Sequence, residues 1–176
     1  MKKSLYAALT LALVLSGCGK ADTALAPPAP ITAIPQTAVG HYCGMFLFEH
    51  PGPKGQILLR ERDAPIWFTT IREVFAYTLL PEESKAVAAV YVQDMARMDM
   101  HGNFAPDAWI PARDAWYLIH SRYAGGMGTI DAFPFGDQSA AKAFQQQHGG
   151  QIVRFDDMPE NYIFGADSLP PESSLL

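Results

Sequence analysis

The stretch Val90-Tyr91-Val92-Gln93-Asp94-Met95 has a counterpart later in the chain, Val153-Arg154-Phe155-Asp156-Asp157-Met158. Each stretch ends the same order of patterns: two short strand patterns, one helical pattern and a returning strand. We interpret this order as two ββαβ units in tandem. The predicted fold class is α+β, with the two units packed together and preceded by a Pro/Ala-rich tether. A chance similarity between two α+β segments is the alternative interpretation.

The first unit is predicted to span residues 40–95. The sequence Pro51-Gly52-Pro53 is a strong turn signal between two strand patterns. The stripe of Ile71, Val74, Phe75 and Thr78, at i, i+3, i+4 and i+7, predicts a helix, which Thr69 or Thr70 would cap. The strands of this unit are predicted at Met45–Phe48, Gln56–Arg60, Ala64–Thr69 and Ala86–Val92.

The second unit is predicted over residues 114–165 and is joined to the first through a connector, residues 96–113. Its helix would be capped by Asp137 or Ser139 and closed by His148-Gly149-Gly150. Its strands are predicted at Ala115–His120, Thr129–Phe133 and Gln151–Phe155.

The N-terminus has the layout of a secretory signal. Lys2-Lys3 precedes the apolar run Leu5–Leu15, which is too short to span a bilayer as a helix. The sequence Leu15-Ser16-Gly17-Cys18 has the pattern of a bacterial lipobox, which predicts removal of residues 1–17 and acylation of Cys18. Several acyl chains would anchor the protein stably, and Gly19, which is not acidic, favours sorting to the outer membrane. An ordinary signal peptide with a chance cysteine is the alternative.

Two segments are predicted to lie outside the packed units. Residues 18–39 would form the lipidated cysteine and a flexible tether, because four prolines and many small residues favour a semi-extended chain. Residues 166–176 are predicted to form a disordered tail.

The charge and the cysteine content limit the possible functions. The formal net charge is −5, and loss of the two lysines in the signal segment would make it more negative still. Because the chain is acidic and has no basic run, nucleic acid is not expected as a partner. With Cys18 acylated, Cys43 has no partner in the chain, so no internal disulfide is expected.

Cys43 and Met45 are the residues that most clearly suggest chemistry. Residues i and i+2 of a strand face the same side, and a turn at Gly44 could bring the two sulfur atoms closer still. Thiolate and thioether sulfur together select Cu(I) over harder ions, whereas the chain has no CxxC spacing of the kind zinc sites use. A small buried cysteine beside a gap-filling methionine is the alternative interpretation.

Other soft or imidazole side chains add to this hypothesis. Met127 stands among glycines, in Gly125-Gly126-Met127-Gly128, where its sulfur could face a cleft or simply be buried. Met95 could end the core of its strand, and His148 could be a structural residue at the end of a helix. Further candidates are Met98, Met100 and His101, which share a charged segment, and His41 and His50, which flank Cys43; for His50 a plain surface role is favoured.

Motifs of enzymes are absent or weak in this sequence. It contains no Gly-x-Ser-x-Gly, no HExxH and no phosphate loop. Cys43 with a histidine could act as a thiol nucleophile, but Met45 has no role in such chemistry. A small envelope thiol enzyme and a structural envelope lipoprotein are therefore the alternatives to a metal-binding protein.

The stretch Val39-Gly40-His41-Tyr42-Cys43-Gly44-Met45, followed by Glu49-His50-Pro51-Gly52-Pro53-Lys54-Gly55-Gln56, resembles the NosL family. These are periplasmic copper-chaperone lipoproteins encoded with nitrous oxide reductase. The resemblance covers nearly all of residues 39–158 as well as the lipobox. It continues at Trp67-Phe68, Val90-Tyr91-Val92-Gln93-Asp94-Met95, Met127-Gly128, and Ala143-Phe144 to His148-Gly149-Gly150.

The resemblance implies a protein that is not an enzyme and that captures Cu(I) for the copper sites of nitrous oxide reductase. It implies transfer through an ABC-type transporter complex and its periplasmic subunit, on the periplasmic face of a membrane. The implied metal ligands are Cys43 and Met45, then Met127. Some family members have a second cysteine where this chain has Gly40, so a dithiol site is excluded and the fourth ligand stays open.

Overall fold

The computed structural model describes residues 26–165, so the predicted signal peptide, Cys18 and the C-terminal tail lie outside the described residues. Short 3₁₀ helices at Leu47–Glu49, Met95–Arg97, Ala112–Asp114 and Phe155–Asp157 join the main elements. Among the helices of this part of the chain, none combines the length and apolar composition needed to cross a membrane. In chain order the main elements are β1 (Gly55–Leu59), β2 (Ile66–Phe68), α1 (Ile71–Leu79), β3 (Val87–Gln93), β4 (Trp109–Pro111), β5 (Trp116–Ile119), β6 (Phe133–Phe135), α2 (Gln138–His148), β7 (Gln151–Arg154) and α3 (Glu160–Phe164).

The strands form two antiparallel sheets with the same internal order. The first sheet runs β2-β1-β3-β4 and the second runs β6-β5-β7, so the first strand of each unit is flanked by its second strand and its returning strand. In both units a helix precedes the returning strand, and a 3₁₀ helix follows it closely. The α+β fold class is confirmed, and the strand order supports the interpretation as two ββαβ units.

The main core lies where the two units meet. One cluster of buried side chains contains Phe75 of α1, Val92 of β3, Tyr117 of β5 and Tyr162 of α3. The ring of Phe75 packs edge-on against Tyr117, with 5.0 Å between the ring centroids. Because one apolar cluster draws on both sheets, separating the units would expose it to water.

The predicted strand at Met45–Phe48 is wrong. Leu47–Glu49 forms a 3₁₀ turn, and the hairpin of the first unit is made by β1 and β2 instead. Pairing explains the difference, because only Phe46 pairs with another segment, in an isolated antiparallel bridge to Val39, and the chain turns at Leu47 before a ladder can extend.

The connector and the predicted tether also differ from expectation. Residues 109–111 add β4 to the edge of the first sheet, opposite β3. From residue 26 onward the tether lies on the folded part: the buried side-chain amide of Gln56 accepts from Ile31 N at 2.8 Å and donates to Ile31 O at 3.0 Å. The Tyr91 hydroxyl donates to Pro28 O at 2.7 Å, so this segment belongs to the fold.

Both long helices begin at the residue types that the sequence indicated. Thr70 and Glu73 form a reciprocal capping box at the start of α1. Asp137 caps α2 by accepting from the N–H groups of Ser139 and Ala140. At the other end of α2, Gly149 has φ of 69°, a conformation that favours glycine.

One buried carboxylate joins the second unit to the first helix. Asp131, just before β6, accepts from Arg72 N at 2.9 Å, from Ile71 N at 3.3 Å and from Ala132 N at 2.8 Å. Burial raises the pKa of Asp131 to about 6, although these backbone hydrogen bonds and the charge of Arg72 act in the opposite direction.

We expect the stability of the protein to depend on pH through Asp131. A carboxyl whose pKa is raised on folding favours the folded state below its unfolded pKa, and that advantage is lost as pH rises through about 6. Relative to Asp131→Asn, which stays neutral, the wild-type protein should therefore lose up to about 3 kcal/mol between pH 4 and pH 7. Urea unfolding of both proteins across this range measures the difference, and a difference that does not change with pH would contradict the assignment.

Candidate metal-binding site

Cys43 lies in a tight loop formed by residues 40–45. The N–H of Gly40 donates to Met45 O at 2.9 Å, and the N–H of Gly44 donates to Gly40 O at 2.9 Å. Gly44 has φ of 66°, which lets the chain reverse immediately after Cys43. The loop is attached to the end of β2, because His41 N donates to Trp67 O at 2.8 Å.

The structure brings Cys43 and Met127 to the same hydroxyl group. The Sγ atom of Cys43 is 3.2 Å from Thr69 Oγ1, and the Sδ atom of Met127 is 3.6 Å from that oxygen. Thr69 stands between β2 and the cap of α1, so it connects the Cys43 loop with a turn of the second unit. Both sulfur-bearing side chains are only half-buried. Two residues that are far apart in sequence thus meet at one place on the surface.

The turn that carries Met127 is held against the loop after Cys43. A Cβ atom on Gly126 would lie 1.5 Å from Pro51 O, so only glycine permits this approach. The turn is closed by Gly128 N, which donates to Gly125 O at 2.9 Å. Contact between these two loops fixes where the Met127 side chain begins.

Met45 has a different neighbour from the one the sequence suggested. Its Sδ atom lies 3.2 Å from His50 Nε2, and both side chains are half-buried. The sequence favoured a plain surface role for His50. The only signal in the sequence is that His50 follows Met45 by five residues. This spacing indicates a contact only once Leu47–Glu49 is known to form a turn, because a strand would carry the two side chains apart.

Lys54 fixes the loop that carries His50. Its ammonium group donates to His50 O at 2.8 Å and to Gly52 O at 2.8 Å, and the side chain is buried. Burial lowers the pKa of Lys54 to about 8, while the carboxylates of Asp131 and Glu73 act in the opposite direction. The sequence alone does not single out this lysine. The signal that could have identified it is the turn at His50-Pro51-Gly52, whose backbone carbonyls need hydrogen-bond donors.

The other candidates lie in different surroundings. Met95 is buried in the core, and Met98 packs against the same cluster. His148 packs on the ring of Phe144 at the end of α2, in agreement with a structural role. Met100 is 92% exposed, and no contact places it near Cys43.

The two remaining candidate histidines, His41 and His101, lie in different surroundings. The Nε2 atom of His41 lies 3.2 Å from Glu83 Oε1, and its ring packs against Tyr77. His101 lines a surface cavity of about 280 Å³ together with His50 and Lys54. Within residues 26–165, His, Cys, Asp and Glu side chains do not gather in a group of three that could hold a metal ion. Cys43, Met45, Met127 and His50 together offer a thiol, two thioethers and one imidazole, and His41 lies in the same loop as Cys43.

Comparison with known proteins agrees with the sequence resemblance. The family model described as NosL matches residues 30–163. The copper-binding lipoprotein NosL of Achromobacter cycloclastes is 36% identical over 159 residues, which is 90% of this chain and 81% of the relative. The copper-binding lipoprotein NosL of Stutzerimonas stutzeri is 32% identical over 164 residues, which is 92% of this chain and 83% of the relative.

A solved structure supports the same relationship. The crystal structure of the copper chaperone NosL from Shewanella denitrificans has a TM-score of 0.69 and 34% sequence identity, and the match covers 76% of this chain and 98% of that one. The chain belongs to the NosL family.

Gly40 should be required for the position of the Cys43 thiol. A Cβ atom on Gly40 would lie 2.6 Å from Cys43 Sγ and 3.0 Å from Thr69 Cγ2. Gly40→Ala should therefore destabilise the fold by about 1–3 kcal/mol through overpacking, and Cys43→Ala should relieve part of that cost. Urea unfolding of the single and double variants gives the coupling energy.

Gly44→Ala is the matched control. It should also destabilise the protein, because its φ is positive, but a Cβ atom at this position has no heavy atom within 4 Å. Its cost should therefore not change when Cys43 is replaced. Equal coupling of both glycines to Cys43 would show that the Gly40 contact is not the cause.

Proposed function

We propose that this protein is a membrane-anchored copper chaperone that binds copper as Cu(I) through Cys43, Met45 and Met127. The observation that carries the proposal is the meeting of the Cys43 and Met127 sulfur atoms at Thr69, with Met45 at the end of the Cys43 loop and next to His50. Relatives described as copper-binding lipoproteins and a related structure described as a copper chaperone support the same function.

The choice of Cu(I) follows from the donor atoms. A thiolate supplies negative charge, and thioether sulfur is a soft neutral ligand, so the set favours Cu(I) over Zn(II) and over hard ions. Neutral thioethers also exchange more readily than a second thiolate would. Such a site can hold the ion and still release it to another protein, which is what a chaperone requires.

His50 is the candidate for the open fourth position. Its Nε2 atom already lies 3.2 Å from the Met45 sulfur, so both side chains could turn toward one ion at the mouth of the loop. Imidazole is an acceptable copper ligand. Because Lys54 holds the backbone carbonyls of His50 and Gly52, the imidazole would start from a fixed position.

The proposed cargo is copper for the copper sites of nitrous oxide reductase, delivered directly or through an ABC-type transporter complex and its periplasmic subunit. The resemblance to the NosL family supports this destination. The contacts of Cys43 do not favour the alternative of a thiol enzyme. In the part of the chain that the structure describes, its sulfur contacts the Thr69 hydroxyl and not a histidine. The ring of His41 is within hydrogen-bonding distance of Glu83, and the ring of His50 is within hydrogen-bonding distance of Met45.

Cu(I) binding should depend on the sulfur ligands in a definite order. Competition with a chromophoric Cu(I) chelator should show tight binding of about one ion per chain by the wild-type protein. Cys43→Ser should lower the affinity most, because it removes the thiolate. Met127→Leu keeps the volume and should lower it less, while leaving the stability of the metal-free fold nearly unchanged.

Met98→Leu is the matched control, because Met98 packs against the core away from Cys43 and should leave Cu(I) affinity at the wild-type value. Metal-binding selectivity is measured with Zn(II) in parallel. Zn(II) held as tightly as Cu(I) would contradict the proposed soft site. Unchanged Cu(I) affinity in Met127→Leu would exclude Met127 as a ligand.

Anchoring should depend on Cys18. We propose that the mature protein begins at an acylated Cys18 and lies on the periplasmic face of the membrane, with the outer membrane as the proposed location. Cys18→Ser should move the protein from the membrane fraction to the soluble fraction of cells, and intact-mass measurement should show acyl chains only on the wild-type protein. Native material with an unmodified Cys18 would contradict the proposal.

A further inference from the structure

One hydroxyl group makes three contacts at the centre of the candidate site. Thr69 Oγ1 donates to Glu73 Oε2 at 2.8 Å, and it lies 3.2 Å from Cys43 Sγ and 3.6 Å from Met127 Sδ. Thr69 is only 3% exposed, so water does not compete for these contacts. A hydroxyl is the side-chain group that can both donate and accept at such a junction.

The hydroxyl is held firmly from the side opposite the sulfur atoms. Glu73 Oε2 also accepts from the backbone N–H groups of Thr69 at 3.1 Å and Thr70 at 3.2 Å. Glu73 is in turn fixed by the first turn of α1, where Thr70 Oγ1 accepts from Glu73 N at 3.3 Å. The start of a helix therefore sets the position of Thr69 Oγ1.

The Cys43 sulfur is confined between Thr69 and Gly40. A Cβ atom on Gly40 would lie within 2.6 Å of the sulfur and within 3.2 Å of Thr69 Oγ1. The sulfur atom thus has the Gly40 backbone on one side and the hydroxyl on another. Its position relative to Met127 depends on where that hydroxyl is.

We propose that Thr69 is a positioning residue of the copper site, whose hydroxyl sets the relative position of the Cys43 and Met127 sulfur atoms and donates a hydrogen bond to the Cys43 sulfur when copper is bound. This inference rests on the proposed function. Thr69 is not itself a ligand in this proposal, because a neutral hydroxyl binds Cu(I) poorly compared with the three sulfur atoms and the imidazole nearby.

The chemistry of the bound state gives the hydroxyl a second role. A thiol can donate its S–H to Thr69 Oγ1, but a thiolate bound to a metal can only accept. The hydroxyl can turn its hydrogen from Glu73 toward that sulfur without moving its oxygen. A hydrogen bond to a ligating sulfur tunes the metal–sulfur bond, and outer-sphere partners of this kind typically contribute about 10-fold to 100-fold in metal affinity.

The test compares Thr69→Val, Thr69→Ser and Thr69→Ala with wild-type protein in the full chain. Valine keeps the branched shape and the backbone N–H but removes the hydroxyl, alanine removes it without adding any atom, and serine retains it. Thr78→Val is the matched control, because the Thr78 hydroxyl donates to Phe75 O toward the other end of the same helix. Thermal unfolding of the metal-free proteins verifies the fold.

We expect Thr69→Val and Thr69→Ala to lower Cu(I) affinity by about tenfold or more, measured by chelator competition. Both should also shift the ultraviolet sulfur-to-copper charge-transfer band, which a purely structural role would leave in place. Thr69→Ser should restore the affinity to within a few-fold of wild type and restore the band, and Thr78→Val should match wild type.

The outcomes separate this inference from the function on which it rests. If wild-type protein fails to bind Cu(I), the proposed function fails. If wild-type protein binds Cu(I), and folded Thr69→Val or Thr69→Ala has wild-type affinity and a wild-type band, the positioning role is overturned while the function stands. Loss of affinity in Thr69→Ser equal to that in Thr69→Val would also overturn it, because the hydroxyl would then not be the cause.

Discussion

The carboxylate of Asp131 is the contact on which the arrangement of the two units depends. It belongs to the second unit, yet it accepts the first N–H groups of α1 in the first unit. A helix start leaves such donors without partners, and here they are satisfied from another unit, inside the core. The Met127 turn stands four residues before this carboxylate, and Thr69 stands two residues before the N–H of Ile71. Docking of α1 on Asp131 therefore brings Thr69 and the Met127 turn together.

The fold was predictable where its pattern is local. The stripe over residues 71–78 and the cap at Thr70 predicted α1, and the counterpart stretches at 90–95 and 153–158 predicted the repeat. The short strand β4 and the docking of residues 26–39 were not predictable, because both depend on partners distant in sequence. Gln56 has no local feature that reveals its bonds to Ile31, and Pro111 argues against a strand until β3 is seen beside it.

The candidate site divides in the same way. Residue types and spacing indicated soft-metal chemistry at Cys43 and Met45, and the glycines around Met127 suggested an exposed sulfur. Only tertiary structure reveals that Met127 and Cys43 share Thr69, that Met45 faces His50, or that Lys54 fixes the loop between them. The sequence predicts Thr69 or Thr70 as the cap of α1. In the structure Thr70 is the cap, and the hydroxyl of Thr69 faces the Cys43 and Met127 sulfur atoms instead.

The docking of residues 26–39 on the folded part has a consequence for motion at a membrane. If lipid on Cys18 holds the protein, only residues 18–25 separate the anchor from the docked segment, a reach of at most about 28 Å when fully extended. A protein held by such a short linker stays within a thin layer next to the membrane and does not diffuse through the whole compartment. Its encounters with a membrane-embedded partner would then be a search in two dimensions, in which a few bound copies maintain a high local concentration.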